Sequence, residues 1–198
     1  MDAIDAVAAA AGLAWASGLR LYAVIFLAGM AGRMDWVELP GQLDALEHPA
    51  VLAAAGFMLC IEFLADKIPA LDSLWDGLHN FIRIPAGALL AAWALADQSA
   101  AVMLAGALLG GSLTAGTHLT KAASRVAINA SPEPVSNLLV STSEDGAAIG
   151  GLWLAFTYPV LFLVLLVLLV LFMLWLLPRV WRFLSGLLSW VSGKQAPG

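Results

Sequence analysis

The stretch that decides the fold is residues 53–83, AAAGFMLCIEFLADKIPALDSLWDGLHNFIR, in which wholly apolar sequence gives way to a dense set of ionisable side chains. Glu62 and Asp66 are four residues apart and therefore share one helix face. A second helical face carries four more such residues: Asp72, Asp76, His79 and Arg83. A charge at the centre of a membrane helix costs roughly 2.5–3.5 kcal/mol on insertion scales. These side chains therefore need partners, water or a ligand, and we expect the function to lie where they point.

The composition is that of a membrane protein. The 198 residues are 62% hydrophobic and only 12% charged, whereas soluble domains carry about 25% charged residues. The mean hydropathy is +0.91, and a net charge of −5 argues against nucleic acid as a partner. Cys60 is the only cysteine, so no intrachain disulfide and no cysteine metal site is expected. Since Cys60 lies in an apolar run, we expect an inert buried thiol.

Apolar segments predict the spanning helices. They cover residues 6–32, 49–67, 84–97, 99–128 and 152–177. The last segment contains Pro159, which leaves two alternatives: one kinked helix, or a turn at Tyr158-Pro159 between two passes. In the first segment, Ser17, Gly18 and Arg20 interrupt the apolar pattern. Either Arg20 faces the bundle interior, or the helix breaks at Ser17-Gly18 and Arg20 lies near an interface.

Two short polar segments interrupt the apolar pattern. Residues 70–81 predict a short amphipathic helix after Pro69, separate from the next span. Residues 129–134, NASPEP, break the chain before a second polar strip. We predict that both segments lie in the interface or re-enter the bundle, which requires packing against protein or water. Their similar arrangement indicates loosely repeated halves, as in many transporters.

The basic residues predict the orientation. With about six spans and both termini cytoplasmic, the basic residues outside the spans fall almost entirely on the cytoplasmic side. These are Lys67, Arg83, Lys121, Arg125, Arg179, Arg182 and Lys194, with Arg33 alone outside. A five-span alternative places the last three outside. The fold expected is an all-α polytopic membrane helix bundle over residues 1–177, followed at 178–198 by a C-terminal amphipathic interfacial helix and tail.

Three functions fit the ionisable residues. Carboxylates and a histidine in a membrane cavity are typical of ion paths, so we favour a small transporter or channel for an ion or small charged solute. Alternatively, Glu62 and Asp66 pair with Lys121 and Arg125 as a structural clamp. In the third alternative, an enzyme acts on a lipid phosphate at the cytoplasmic face. The candidate ion- or substrate-binding residues are Glu62, Asp66, Asp76, His79, His118, Lys121, Arg125, Asn137, Glu144 and Asp145.

The sequence contains no motif for a cofactor. It has no Walker motif, no dinucleotide fingerprint, no His-Glu-x-x-His zinc site and no Gly-x-Ser-x-Gly elbow. We therefore predict no cofactor and no catalytic residue, and nothing specifies a metal. The predicted partners are the lipid bilayer and the transported ion or solute. The oligomeric state is left open, with a homo-oligomer among the alternatives.

Two ordered blocks of residues resemble a bacterial membrane family known as domain of unknown function 4126. The first is Glu62-Phe63-Leu64-Ala65-Asp66-Lys67-Ile68-Pro69, with Asp72, Trp75-Asp76 and Arg83-x-Pro85-Ala86-Gly87-Ala88. The second is His118-Leu119-Thr120-Lys121-Ala122, Arg125, Asn129-x-Ser131-Pro132, Ser136-Asn137 and Ser141-x-x-Glu144-Asp145, and Gly18-Leu19-Arg20 also fits. The resemblance covers residues 12–160. It implies a multi-pass protein of the bacterial inner membrane and carries no activity.

Overall fold

The protein is all-helical over the residues that the structure describes. The computed structural model describes the backbone at residues 2–65, 69–129 and 134–191, and side chains at 2–65, 79, 81–124, 139–175 and 179. The helices are α1 (Ala3–Arg33), a 3₁₀ helix (Leu43–Glu47), α2 (Pro49–Ala65), α3 (Pro69–Ala94), α4 (Ala100–Asn129), α5 (Pro134–Thr157) and α6 (Pro159–Val191). No strand occurs in these ranges. The predicted all-α helix bundle is confirmed.

The chain forms two compact units, Met1–Phe162 and Leu163–Gly198. The boundary between the two units lies inside α6. The first unit contains the buried core of the bundle, in which α1 packs against α2, α3, α4 and α5. The ionisable residues of the candidate site that the structure describes all belong to this first unit.

Helix α1 is broken at Arg20. This residue has φ −147° and ψ 82°, outside the helical region. The break lies two residues after the predicted position, and Arg20 is only 1% exposed, so it faces the interior. The structure thus combines the two alternatives, because the helix breaks and the arginine is buried at the break.

The second half of α1 does not continue the direction of the first. In the first half, Ala14 lies beside Gly110, which also touches Ala91 of α3. After α1 ends, the segment that leads to α2 lies at the end of the bundle where Trp93 of α3 is found. The backbone N–H of Gln42 in this segment donates to the carbonyl of Trp93 at 3.0 Å. This connection also packs against Gly29 through Leu46. If α1 were straight, Gly29 would lie roughly 25 Å along the helix axis from the level of Trp93. The chain must therefore bend sharply at Arg20.

The two polar segments are continuous with the helices that follow them. Residues 70–81, predicted as a separate helix, belong to α3, and Pro85 lies inside that helix. The missing N–H of Pro85 removes one helical hydrogen bond without ending the helix. The polar strip after Pro134 likewise runs directly into the apolar part of α5.

The junction of α5 and α6 is a single residue. Tyr158 is the non-helical position, next to the predicted Pro159. Helical hydrogen bonds flank it, from Tyr158 N–H to the Leu154 carbonyl at 2.8 Å and from Phe162 N–H to the Tyr158 carbonyl at 2.9 Å. The predicted interruption is therefore present and is confined to one position.

The helices α1, α3 and α4 meet through very small side chains at the end of the bundle near Trp93. A Cβ added at Gly110 would overlap the Cβ of Ala91, and one added at Gly87 would overlap the side chain of Thr114. Thr114 is fully buried, and its hydroxyl donates towards the carbonyl of Ala14 at 2.7 Å. We call these five residues the close-packed seam. The absence of side-chain bulk lets the backbones approach directly.

Two helical segments, Ala3–Arg33 and Ala100–Ser124, are long and apolar enough to cross a membrane, judged over the described residues. Three shorter apolar helical segments accompany them: Pro49–Ala65, Phe81–Ala94 and Pro159–Trp175. Large apolar side chains on these segments are exposed, including Leu104, Leu108 and Leu109 of α4. Cys60 is also exposed, so the predicted buried thiol is wrong.

Candidate functional site

A set of charged and polar side chains is buried where α1 breaks. Its members come from five helices, which is why no single stretch of sequence contains it. They are Arg20 of α1, Glu62 of α2, Arg83 of α3, His118 and Lys121 of α4, and Ser141, Glu144 and Asp145 of α5. We call this set the charged cluster. Asp145 lies at its edge, because its side chain is 29% exposed.

Arg83 links α2 to α4. One guanidinium nitrogen, Nη2, donates to Glu62 Oε1 at 2.7 Å, and neither side chain is exposed. The other, Nη1, lies 3.0 Å from Nδ1 of His118. Because a guanidinium can only donate, Nδ1 must accept, and the neutral imidazole then carries its proton on Nε2. The protonation state of His118 is thus tied to the position of Arg83.

Arg20 links the break in α1 to α5. Its Nε lies 2.6 Å from Asp145 Oδ1, and its Nη2 donates to the hydroxyl of Ser141 at 3.1 Å. Ser141 and Asp145 are four residues apart and share a helix face, so they form one pocket for the guanidinium. A buried arginine is stable only when paired in this way.

Lys121 uses the carbonyl that the break in α1 releases. Its Nζ donates to the Leu19 carbonyl at 3.2 Å and lies 3.9 Å from Glu144 Oε2. The Leu19 carbonyl lies at the C-terminal end of a half-helix, which carries a partial negative charge. The lysine therefore compensates both the half-helix end and the carboxylate of Glu144.

Tyr22 and His79 adjoin the cluster beside Glu62. The two rings meet edge to face, with centroids 5.8 Å apart. Tyr22 is also near enough to Glu62 and Arg83 to interact electrostatically with both. His79 is thus placed next to the cluster by an aromatic contact.

The charges of the cluster balance among the residues that the structure describes. Arg20, Arg83 and Lys121 are matched by three carboxylates, those of Glu62, Glu144 and Asp145. A balanced set avoids the large cost of leaving an unpaired charge away from water. No group of three or more His, Cys, Asp or Glu residues in the described part of the chain is arranged to hold a metal ion.

Comparison with known proteins identifies the family. The model of the family described as domain of unknown function (DUF4126) matches residues 7–179. The chain belongs to the DUF4126 family. The predicted resemblance is confirmed, and the match extends beyond residues 12–160 at both ends. No curated protein and no solved structure matches the chain.

Half of the predicted site residues of this DUF4126 protein lie in the charged cluster: Glu62, His118, Lys121, Glu144 and Asp145. His79 lies beside it. Asp66 lies outside the described residues, and so do the side chains of Asp76, Arg125 and Asn137. The two halves of the sequence thus meet in the DUF4126 bundle, as their helical spacing indicated.

Of the four residues of the clamp considered in the sequence, Glu62 and Lys121 have described side chains. Glu62 binds Arg83, whereas Lys121 lies near Glu144. Sequence reasoning did not include Arg83, Arg20 or Ser141 among the site residues. The signal for Arg83 was its helical spacing from His79, and the signal for Arg20 was its position within an apolar run.

Proposed function

We propose that this DUF4126 protein is a multi-pass protein of the bacterial inner membrane that transports an ion or a small charged solute through the charged cluster. The fold places ionisable side chains from five helices at one point in an apolar bundle. Ionisable groups inside membrane bundles are rare and usually belong to ion or substrate paths.

Two features support a membrane location. The segment Ala100–Ser124 has the length and hydropathy of a spanning helix, and the broken helix α1 is equally apolar over Ala3–Arg33. The large apolar side chains exposed on α4 would face water in a soluble protein, where contiguous apolar patches are uncommon. In a bilayer the same side chains contact lipid.

The observation that carries the transport proposal is the break of α1 inside the cluster. Transporters commonly place discontinuous helices at the substrate site, where free carbonyls and half-helix ends supply partial charges. Non-helical backbone at membrane depth is tolerated only beside protein or water. Here the break at Arg20 exposes the Leu19 carbonyl to Lys121.

A structural clamp is the second candidate, and the balance of charges favours it. Each of the three cationic side chains has a carboxylate within 4 Å in the described structure, as expected of a device that fixes helix register. The two functions differ in one measurable respect. A clamp is needed for folding alone, whereas a transport site is also needed for flux.

Flux through Lys121→Gln proteoliposomes separates the two functions. The matched control is Arg33→Gln, which removes an exposed positive charge at the end of α1. Transport predicts that the wild type and Arg33→Gln move ions or solutes across the vesicle membrane and that folded Lys121→Gln does not. If the wild type moves none of a panel of inorganic ions and small acids, and Lys121→Gln only lowers the melting temperature, the clamp is the correct function.

A further inference from the structure

Close contacts at glycine divide the bundle at Arg20. Before the break, Gly12 of α1 lies against Ala155 of α5, and an added Cβ would overlap that side chain. Gly18 of α1 lies equally close to Thr117 of α4. The close-packed seam joins this same half of α1 to α3 and α4. Since close-packed interiors resist local deformation, the first half of α1 forms one body with α3, α4 and α5, which we call the fixed body.

A second set of close contacts follows the break. Gly29 of α1 lies against the carbonyl of Leu46 in the 3₁₀ helix, with no room for a Cβ. Gly56 of α2 lies against the ring of Phe26, 3.1 Å from the position of an added Cβ. In the described chain, α2 packs against α1, the 3₁₀ helix and α3, and against neither α4 nor α5. Residues 21–65 therefore form a second body, which we call the hinged lobe.

The two bodies meet through aliphatic side chains in the apolar core. Leu21, Val24 and Ala28 of the hinged lobe share this core with Leu90 and Leu95 of α3. Under the proposed membrane location, separating aliphatic surfaces costs little, because lipid tails are as apolar as leucine. The contact between the bodies can then open without the penalty that water would impose.

The end of the hinged lobe away from Arg20 is held to α3 by two backbone N–H groups. The N–H of Gln42 donates to the carbonyl of Trp93 at 3.0 Å, and this carbonyl lies in the last turn of α3, where helical acceptors have no partner within the helix. The N–H of Gly41 donates to Asp97 Oδ2 at 3.2 Å. Gly41 has φ +64°, and an added Cβ would overlap the Trp93 carbonyl, so glycine is required here. We call Gly41, Gln42, Trp93 and Asp97 the latch.

We propose that the hinged lobe rotates about Arg20 and releases the latch, so that the bundle opens at the end near Trp93. The break in α1 is the observation that carries this inference, because hinges are single positions at element ends that absorb a change of backbone angles. Arg20 stays with the fixed body, since its side chain binds Ser141 and Asp145 of α5. Residues 21–33 place the latch roughly 20 Å from the hinge, where a rotation causes the largest displacement.

The hinge supplies a gate for the proposed transport function, and this role rests on that function. The charged cluster lies at the pivot and contains side chains from both bodies, with Glu62 from the hinged lobe and Arg83 from the fixed body. Transporters commonly rock one helical body against another around such a site. The latch is closed in the structure. Opening it separates the hinged lobe from α3 between the cluster and the end of the bundle near Trp93.

A pair of spin labels measures the motion in the full chain in lipid vesicles. The labels are attached through Glu38→Cys in the connection and Gln98→Cys after α3, both exposed positions, with Cys60→Ala removing the native thiol. Asp97→Ala removes the acceptor of the Gly41 N–H. The ratio of long to short distances should then rise about tenfold or more, because a hydrogen bond to a charged group is lost.

Three further measurements separate a hinged lobe from other movements. Gly41→Ala should also lengthen the distance, whereas Asp44→Ala, an exposed carboxylate on the same connection, should leave it unchanged. A label pair at Glu38 and Ala54 of α2 lies inside the hinged lobe and should keep its distance in every variant. If folded Asp97→Ala and Gly41→Ala keep the parent distance, or if the pair inside the lobe lengthens equally, the inference is wrong.

A cross-link tests the role of the latch as a gate. A cleavable linker between Glu38→Cys and Gln98→Cys, of the length that the labels give for the closed state, should stop the flux that the wild type shows, and a reductant should restore it. Undiminished flux through cross-linked protein would overturn the gate and leave the transport function standing. If the distances change as expected but wild-type vesicles move no inorganic ion or small acid, the hinge stands and the transport function is wrong.

Discussion

At the end of the bundle near Trp93, helices α1, α3 and α4 touch through glycine, alanine and threonine, whereas near Arg83 the same helices are bridged by long charged side chains. Gly110 meets Ala91 directly in the close-packed seam. In the charged cluster, Arg83 and Lys121 reach across the gap between helices. The close-packed seam depends on small side chains, whereas the charged cluster depends on paired charges. The two regions should therefore respond differently to substitution.

The largest stability effect is expected at Arg83. Replacing it with Gln leaves Glu62 buried without its cation and removes the donor to His118. We expect the free energy of unfolding to fall by about 3–5 kcal/mol, as when one partner of a buried ion pair is removed. Reversible unfolding in mixed detergent micelles measures it. A loss no larger than that of exposed Arg33→Gln would show that the pair contributes little to stability.

A smaller effect is expected in the close-packed seam at Gly110. An added methyl group there would overlap Ala91, so Gly110→Ala should cost about 1–3 kcal/mol through overpacking. Gly116→Ala on the same helix is the matched control, because nothing lies within 4 Å of its added Cβ. Equal melting temperatures for the two variants would contradict close packing at this end.

The smallest effect is expected from the buried hydroxyl of Thr114. Thr114→Val keeps the shape and removes the hydroxyl, which lies 2.7 Å from the carbonyl of Ala14 and 2.8 Å from that of Gly110. We expect a loss of about 1 kcal/mol or less, since hydrogen bonds between membrane helices are individually weak. Thr117→Val is the control, because its hydroxyl donates within α4, to the carbonyl of Leu113. If both variants unfold at the same temperature, the bond between helices adds nothing to the seam.

Composition and spacing were sufficient to predict the helix bundle and a set of ionisable residues drawn from both halves of the chain. They determine which helix face a residue occupies, and a face rich in charge must turn towards other charges. Spacing alone cannot determine partners between helices. The clamp alternative paired Glu62 and Asp66 with Lys121 and Arg125, whereas the structure shows Glu62 bound to Arg83, 21 residues away along the chain.

The break of α1 shows a second limit. Ser17 and Gly18 were the visible signal, yet the non-helical residue is Arg20. The position follows from contacts made by distant residues, because Arg20 binds Asp145 and Lys121 binds the carbonyl released at Leu19. In α3, residues 70–81 were predicted to form a helix separate from the span at 84–97, but one helix continues through both and through Pro85. A proline removes a single bond, and packing decides whether the helix ends there.

The bend of α1 also determines which segments of the polypeptide share a compartment after insertion. The orientation predicted from the basic residues treats α1 as one straight crossing of the membrane. It therefore assigns the N-terminus and residues 34–48 to opposite sides of the membrane. The backbone of Gly41 instead donates to Asp97, beyond the end of α3, at the same end of the bundle as the start of α1. Under the proposed membrane location, reporters at Asp2 and Glu38 should therefore lie on the same side of the bilayer.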